Sequence, residues 1–257
     1  MCQLFAVNSK NPVRINDYLT RFYKNSAMHP HGWGLARFWG EEYSIEKESL
    51  QASKSNYLKE QLSQPITVES ALAHIRYATI GNVDYKNSHP YKKRDNSSRR
   101  WVMIHNGTIF DYPKLAKYTK LQKGETDSER ILLYLVDRIN ASQKNSDRAL
   151  SFEERFTLLD EIIADMSKGN KLNLIIYDGK YMYVHTNYAN SLYSLEKDGA
   201  VFFSTEPLTD EEWKPVKFTT LLAYKNGRLA AEGTTHNNEY EDNEEALRML
   251  YRIFADL

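Results

Sequence analysis

Apolar residues along this chain recur with two periods, near two and near 3.6, and the changes between them mark out its elements. The stretch "CQLFAVNS" (2–9) is short, apolar and partly β-branched, the pattern of a buried strand. "GWGLARFWG" (32–40) and "YSIEK" (43–47) predict a second and a third strand, with Gly40 at the turn. "SKSNYLKEQLSQ" (53–64) predicts a helix stopped by Pro65. "TVESALAHIRYAT" (67–79) and "WVMIHNG" (101–107) read as further strands. Between them "KNSHPYKKRDNSSRR" (86–100) reads as a polar, turn-rich surface loop.

The period then lengthens. In "GETDSERILLYLVDRIN" (124–140), Ile131, Leu132, Leu135, Val136 and Ile139 share one helical face, and Thr126 with Glu129 fits a capping box. "SFEERFTLLDEIIADMSKG" (151–169) predicts a second helix ending at Gly169. Strands return in two hairpins, one across Asp178-Gly179 and one across Asn226-Gly227. A C-terminal helix is predicted from the stripe Leu247, Leu250, Ile253, Phe254 and Leu257. Strands, two long helices, strands and a helix, in that order, favour an α+β fold of two antiparallel sheets covered by helices over an alternating parallel one. No repeat or long linker divides the chain, so residues 1–257 are expected to form a single domain. An N-terminal strand buried between two sheets would set residue 2 at a strand end, near a cleft.

Composition narrows the partners. Lys plus Arg (34) equals Asp plus Glu (34), which gives no overall electrostatic case for nucleic acid or an anionic membrane. No stretch approaches the roughly 20 apolar residues of a membrane span. With a single cysteine and no basic-then-apolar leader, a reducing, cytoplasmic home is expected. Five of the seven histidines fall in the first half, but none of their spacings makes a helical ligand pair or a zinc-type cluster, so no metal and no cofactor is expected.

The single cysteine is Cys2. Once Met1 is removed, Cys2 carries a nucleophilic thiol and an α-amine, whose pKa near 7.7–8.0 suits a base at neutral pH. A chance cysteine beside the start is the bland reading of Met-Cys alone. Four further motifs follow it in order: "HIRYATIG" (74–81), "NSHPY" (87–91), "HNGTI" (105–109) and "GETDSE" (124–129), with "GWGLARF" between. Together they resemble the class II glutamine amidotransferase domain, an N-terminal-nucleophile hydrolase, and "STEPLTDEEW" (204–213) looks like a stretch of stand-alone members.

The resemblance implies a four-layer αββα sandwich and assigns roles. Cys2 would attack the side-chain amide of glutamine, giving a γ-glutamyl thioester and ammonia. The Asn106 side chain and the Gly107 N–H would hold the oxyanion. Arg76 would take the substrate α-carboxylate with its planar fork, and Asp127 the α-ammonium, although an acid in a helix's first turn is favoured without any ligand. Thr79 and His89 match positions near the substrate. Trp33 and Gly34 match as well, and such a tryptophan can simply be core. His31 stands where many relatives have an acidic residue, which leaves that loop's role open. The implied function is hydrolysis of the γ-glutamyl amide of glutamine or a small γ-glutamyl compound. The alternatives are a glutaminase feeding ammonia to a separate synthase subunit, a non-catalytic regulatory domain of the same fold, and a redox sensor built on the lone thiol.

Overall fold

The computed structural model describes residues 2–40, 42–144, 148–242 and 248. Two all-antiparallel sheets face each other. The first runs in the order β11 (Lys214–Pro215), β9 (Tyr193–Lys197), β10 (Ala200–Ser204), β1 (Gln3–Arg14), β4 (Thr67–Ile75), β2 (Trp33–Trp39), β3 (Glu42–Glu48). The second runs β13 (Arg228–Glu232), β12 (Leu222–Lys225), β8 (Met182–His185), β7 (Lys171–Tyr177), β6 (Arg100–Thr108), β5 (Tyr91–Arg94). The N-terminal strand is thus an interior strand of the first sheet, and not a layer between the two.

Strand alternation builds the layers. Leu4, Ala6, Ala36 and Leu72 from the first sheet meet Val102, Ile104, Ile175 and Val184 from the second in one apolar core. Their chain neighbours point outward. Phe5, Val7, Leu35 and Ala73 pack on α1 (Asn16–Lys24) and α2 (Asn56–Ser63) through Leu19, Phe22 and Leu58. Trp101, Met103, Leu174 and Ile176 pack on α3 (Asp127–Gln143) and α4 (Phe152–Met166) through Ile131, Leu135, Leu159 and Ile163. This is the four-layer αββα sandwich that the resemblance implies.

Several local expectations sharpen. The polar stretch 86–100 is not a surface loop throughout: Tyr91–Arg94 form β5 against β6, and Asn87, Ser88 and His89 are buried. Its remaining turn is tied by Asp95, which accepts from the Ser97 and Arg99 N–H groups and the Trp101 indole. At the start of α3, Thr126 accepts from the Glu129 N–H, but the Glu129 carboxylate turns to the Lys123 and Gly124 N–H groups, so half of the expected capping box forms. The complete box is at Ser151 and Glu154, opening α4. Helix α1 escapes sequence reading because it is short and Ile15 at its start supplies no capping bond. At the Asn226-Gly227 turn both residues have positive φ (54° and 74°), as a two-residue hairpin of this twist requires. The predicted C-terminal helix lies outside the described residues.

Candidate functional site

The site begins where β1 starts and β4 ends. Their antiparallel register pairs Gln3 with Ile75 and Leu4 with His74, so one further step sets Cys2 beside Arg76. Leu4 and Leu72 face the layer between the sheets, and the period of two turns Cys2, His74 and Arg76 the same way. From the second sheet Val102 and Ile104 face this layer, and Asn106 continues their side of β6. Cys2, Arg76 and Asn106 therefore converge on one end of the inter-sheet space.

The Cys2 thiol donates to the Tyr77 carbonyl (3.5 Å). Burial pushes its pKa above the ordinary thiol value, and the Arg76 charge pulls the other way less strongly. The group is thus a thiol at neutral pH and needs a base to become nucleophilic. Arg76, almost fully buried, aims its guanidinium at the loop that follows β4: it donates to the carbonyls of Ile80 (2.9 Å), Gly81 (2.8 Å) and Asn82 (2.8 Å). Three of its five N–H groups are used there, which leaves two for another acceptor. Thr79 lies half-buried in the same loop.

Two residues that sequence reading did not single out lock this loop. Glu125 accepts from the Asn82 N–H (2.9 Å) and from the Asn87 amide (2.8 Å). Asn87, fully buried, returns its own oxygen to the Glu125 N–H (2.8 Å). Those bonds hold the Glu125 carboxyl below its ordinary pKa, the Asn82 N–H contributing most. Both residues stand inside the quoted motifs "NSHPY" and "GETDSE", so the signal was there, without a role attached.

On β6, the Asn106 side-chain oxygen is buried without a hydrogen-bond partner. An amide oxygen buried without a donor is rare in a folded protein and marks an acceptor that a ligand N–H can satisfy. Gly107 tolerates no side chain. A Cβ there would stand 2.0 Å from the Lys171 carbonyl and 2.5 Å from the His105 ring. Asp127, the first residue of α3, accepts from the Ile109 N–H (2.9 Å) and the Ser128 N–H (2.8 Å). Its carboxylate therefore ties the helix start to the chain leaving β6, which fixes the turn after Asn106-Gly107 from below.

His89 does not project into open space. Its ring packs 4.0 Å from the His74 ring and 4.7 Å from Tyr91, and all four nitrogens of the two histidines are buried without a partner of good hydrogen-bond geometry. Burial drives both pKa values well below the ordinary histidine value. Trp33 is core: it is buried, lies 6.0 Å from Tyr23, and donates its indole N–H to Glu48 (2.8 Å). The "STEPLT" stretch flanks the head of β1. Thr205 donates its N–H to the Leu4 carbonyl (3.1 Å), and the Gln3 amide donates to Glu206 (2.8 Å). Among the described residues no group of three or more His, Cys, Asp or Glu side chains could hold a metal, and no helix is long and apolar enough to cross a membrane.

Comparison with known proteins places the chain in a family and gives its fold. Residues 1–198 match the family model described as "Glutamine amidotransferases class-II". A Haemophilus influenzae protein provisionally named a glutamine amidotransferase is 28% identical over 90% of this chain and 87% of its own length. An uncharacterised Methanocaldococcus jannaschii protein is 24% identical over 89% of this chain and 70% of its own. Among solved structures, a Pseudomonas aeruginosa protein provisionally assigned as a glutamine amidotransferase superposes with a TM-score of 0.61 at 20% identity, covering 90% of this chain and all of that one. The allosteric regulatory enzyme of purine biosynthesis superposes with a TM-score of 0.66 at 21% identity, covering 93% of this chain and half of that one.

Proposed function

Because the chain belongs to the class II glutamine amidotransferases, enzymes of glutamine amide hydrolysis, we propose that it cleaves the γ-glutamyl amide of glutamine or of a small γ-glutamyl compound through a thioester on Cys2. The observation that carries this reading is the convergence of Cys2, Arg76 and Asn106 on one end of the inter-sheet layer.

The steps follow from the groups. With Met1 removed, the α-amine of Cys2 takes the thiol proton and Sγ attacks the side-chain carbonyl carbon. The carbonyl oxygen becomes an oxyanion, held by the Asn106 amide N–H and the Gly107 N–H. Collapse breaks the C–N bond, and the α-amine returns the proton to the leaving nitrogen. Water then attacks the thioester, releasing glutamate and the thiol. The free N–H groups of Arg76 take the substrate α-carboxylate and Asp127 its ammonium, with Thr79 and the His74–His89 pair shaping the wall beside them. In this reading residues 1–257 work as one amidotransferase unit, in the reducing cytoplasm.

Removing the Asn106 amide tests the oxyanion role. Asn106→Ala should lower kcat by about 100- to 1,000-fold, the typical cost of one such donor, with KM changed only a few-fold. Equal losses in KM and an unaltered kcat would instead make Asn106 a ground-state binding residue. Substrate class is tested by incubating the purified protein with glutamine, γ-glutamyl dipeptides and γ-glutamylamines, and measuring glutamate and free amine. Equimolar release from any of them, by the protein alone, is expected. Failure with all of them, together with no covalent labelling of Cys2, would remove the reading. A second reading, ammonia delivery to a synthase partner, is favoured by the purine enzyme, a longer chain of which the match covers half. It predicts glutamine turnover that rises several-fold when such a partner is added.

A further inference from the structure

His31 touches the turn beneath Cys2 twice. Its backbone N–H donates to the Arg76 carbonyl (3.0 Å). Its ring Nδ1 accepts from the Ala78 N–H (2.9 Å). Between those anchors lies Tyr77, whose carbonyl accepts the Cys2 thiol (3.5 Å) and whose ring centre is 5.3 Å from the His31 ring. A backbone N–H can only donate, so Nδ1 must present a lone pair: the ring is neutral, with its proton on Nε2. Protonation would set a second N–H against that of Ala78 and remove the bond. An acidic residue at this position would offer the same N–H an acceptor that stays available at every pH above about 4, whereas histidine loses it in a physiologically accessible range.

The groups around the ring favour the neutral form. Partial burial lowers its pKa first, and the Arg76 guanidinium, just past the end of β4, lowers it further. Tyr77 covers one side, with the Cys2 thiol of β1 reached through the Tyr77 carbonyl. The His29 ring, from the same loop, stands 6.4 Å from Tyr77. No carboxylate among the described residues hydrogen-bonds the His31 ring.

We propose that His31 is a positioning residue: its neutral imidazole holds the 76–78 turn, and with it the carbonyl that orients the Cys2 thiol, and its protonation releases that turn and lowers the reactivity of the site. This rests on Cys2 being the nucleophile of the reaction proposed above. It also gives the departure from an acidic residue a consequence, an acid limb in activity that belongs to His31.

Two variants and two readouts decide it. His31→Asn puts a side-chain oxygen where Nδ1 stands and does not titrate, and His31→Ala removes the acceptor. The first readout is the Ala78 amide resonance in a ¹⁵N–¹H spectrum, followed from pH 8 down to the onset of acid unfolding. The second is kcat/KM for a γ-glutamyl amide over the same range. In the wild type the Ala78 amide should shift with a midpoint below the ordinary histidine value, and kcat/KM should fall with it. In His31→Asn the resonance should stay put, the acid limb should vanish, and activity at pH 7.5 should remain within about twofold of wild type. His31→Ala should be about tenfold less active at pH 7.5, the scale of one lost hydrogen bond, and lack the limb. A wild-type Ala78 amide that does not titrate, or a limb that survives in His31→Asn, overturns the proposal. Should the wild type hydrolyse no γ-glutamyl amide, the Ala78 resonance decides alone, so failure of the catalytic reading stays separate from failure of this one.

Discussion

Cys2→Ala should abolish γ-glutamyl amide hydrolysis, with kcat lower by a factor on the order of 10⁴ to 10⁶, the scale seen when a covalent nucleophile is removed. Cys2 keeps part of its surface open, and its side chain makes a single long hydrogen bond among the described residues, so the variant should fold with thermal stability close to wild type. The check is intact-protein mass spectrometry with a glutamine-mimicking diazo-ketone. The wild type should lack Met1 and gain one adduct, and Cys2→Ala should gain none. Because burial keeps the thiol protonated at neutral pH, the adjacent α-amine has to act as its base. A form that retains Met1, or carries an N-terminal tag, should therefore be as inactive as Cys2→Ala although its thiol is intact. An active, tagged enzyme would remove the α-amine from the mechanism.

The second large effect is on stability. His74, His89, His105 and His185 are essentially buried, and in each case burial is the first cause of a lowered pKa, to about 3 for His185. The His185 case is legible in its bonds. Its Nδ1–H donates to the Leu172 carbonyl (2.8 Å), and its Nε2 meets Nε2 of His236 (2.9 Å), whose Nδ1 accepts from the Asn238 N–H (3.0 Å). Both rings are neutral in that chain. In the unfolded chain each histidine titrates near 6.5, so below that pH the unfolded state binds more protons than the folded one. Stability is therefore fully present above pH 6.5 and lost as pH falls toward the lowered folded values. A histidine whose folded pKa lies far below 5.5, as that of His185 does, loses on the order of 1 kcal/mol between pH 7 and pH 5.5, and His74, His89 and His105 act in the same direction. Urea unfolding followed by circular dichroism at the two pH values should show the midpoint falling steeply. A midpoint unchanged between pH 7 and pH 5.5 would mean that these rings are solvated or already charged in the folded state.

Much of the fold was legible because burial on one face of a strand or helix forces a period. "TVESALAHI" and "WVMIHNG" read as strands and lie as β4 and β6, and the helical stripe Ile131–Ile139 packs on the second sheet. Legibility failed where the stabilising partners are distant in sequence. Tyr91–Arg94 look polar because only Tyr91 of this edge strand is buried, and what makes them a strand is the ladder with β6. The site shows the same division. Cys2, Arg76, Asn106, Gly107 and Asp127 were named from motifs, each a short run whose residue types suit one chemical task. Asn87, Glu125 and His31 were not given tasks, because what they do is hold backbone groups 38 to 47 residues away.

By itself the sequence determined many of the elements, their order and the chemical types in the motifs, since these depend on local period, turn residues and side-chain chemistry. Tertiary structure alone decided that Cys2 stands beside Arg76, through the register of β1 on β4, and that Asn106 faces the same layer from the other sheet. It also turned Arg76 toward three loop carbonyls and packed the His89 ring against His74 out of solvent. Register, facing and burial are properties of two segments brought together, and no period along one segment encodes where its partner will stop.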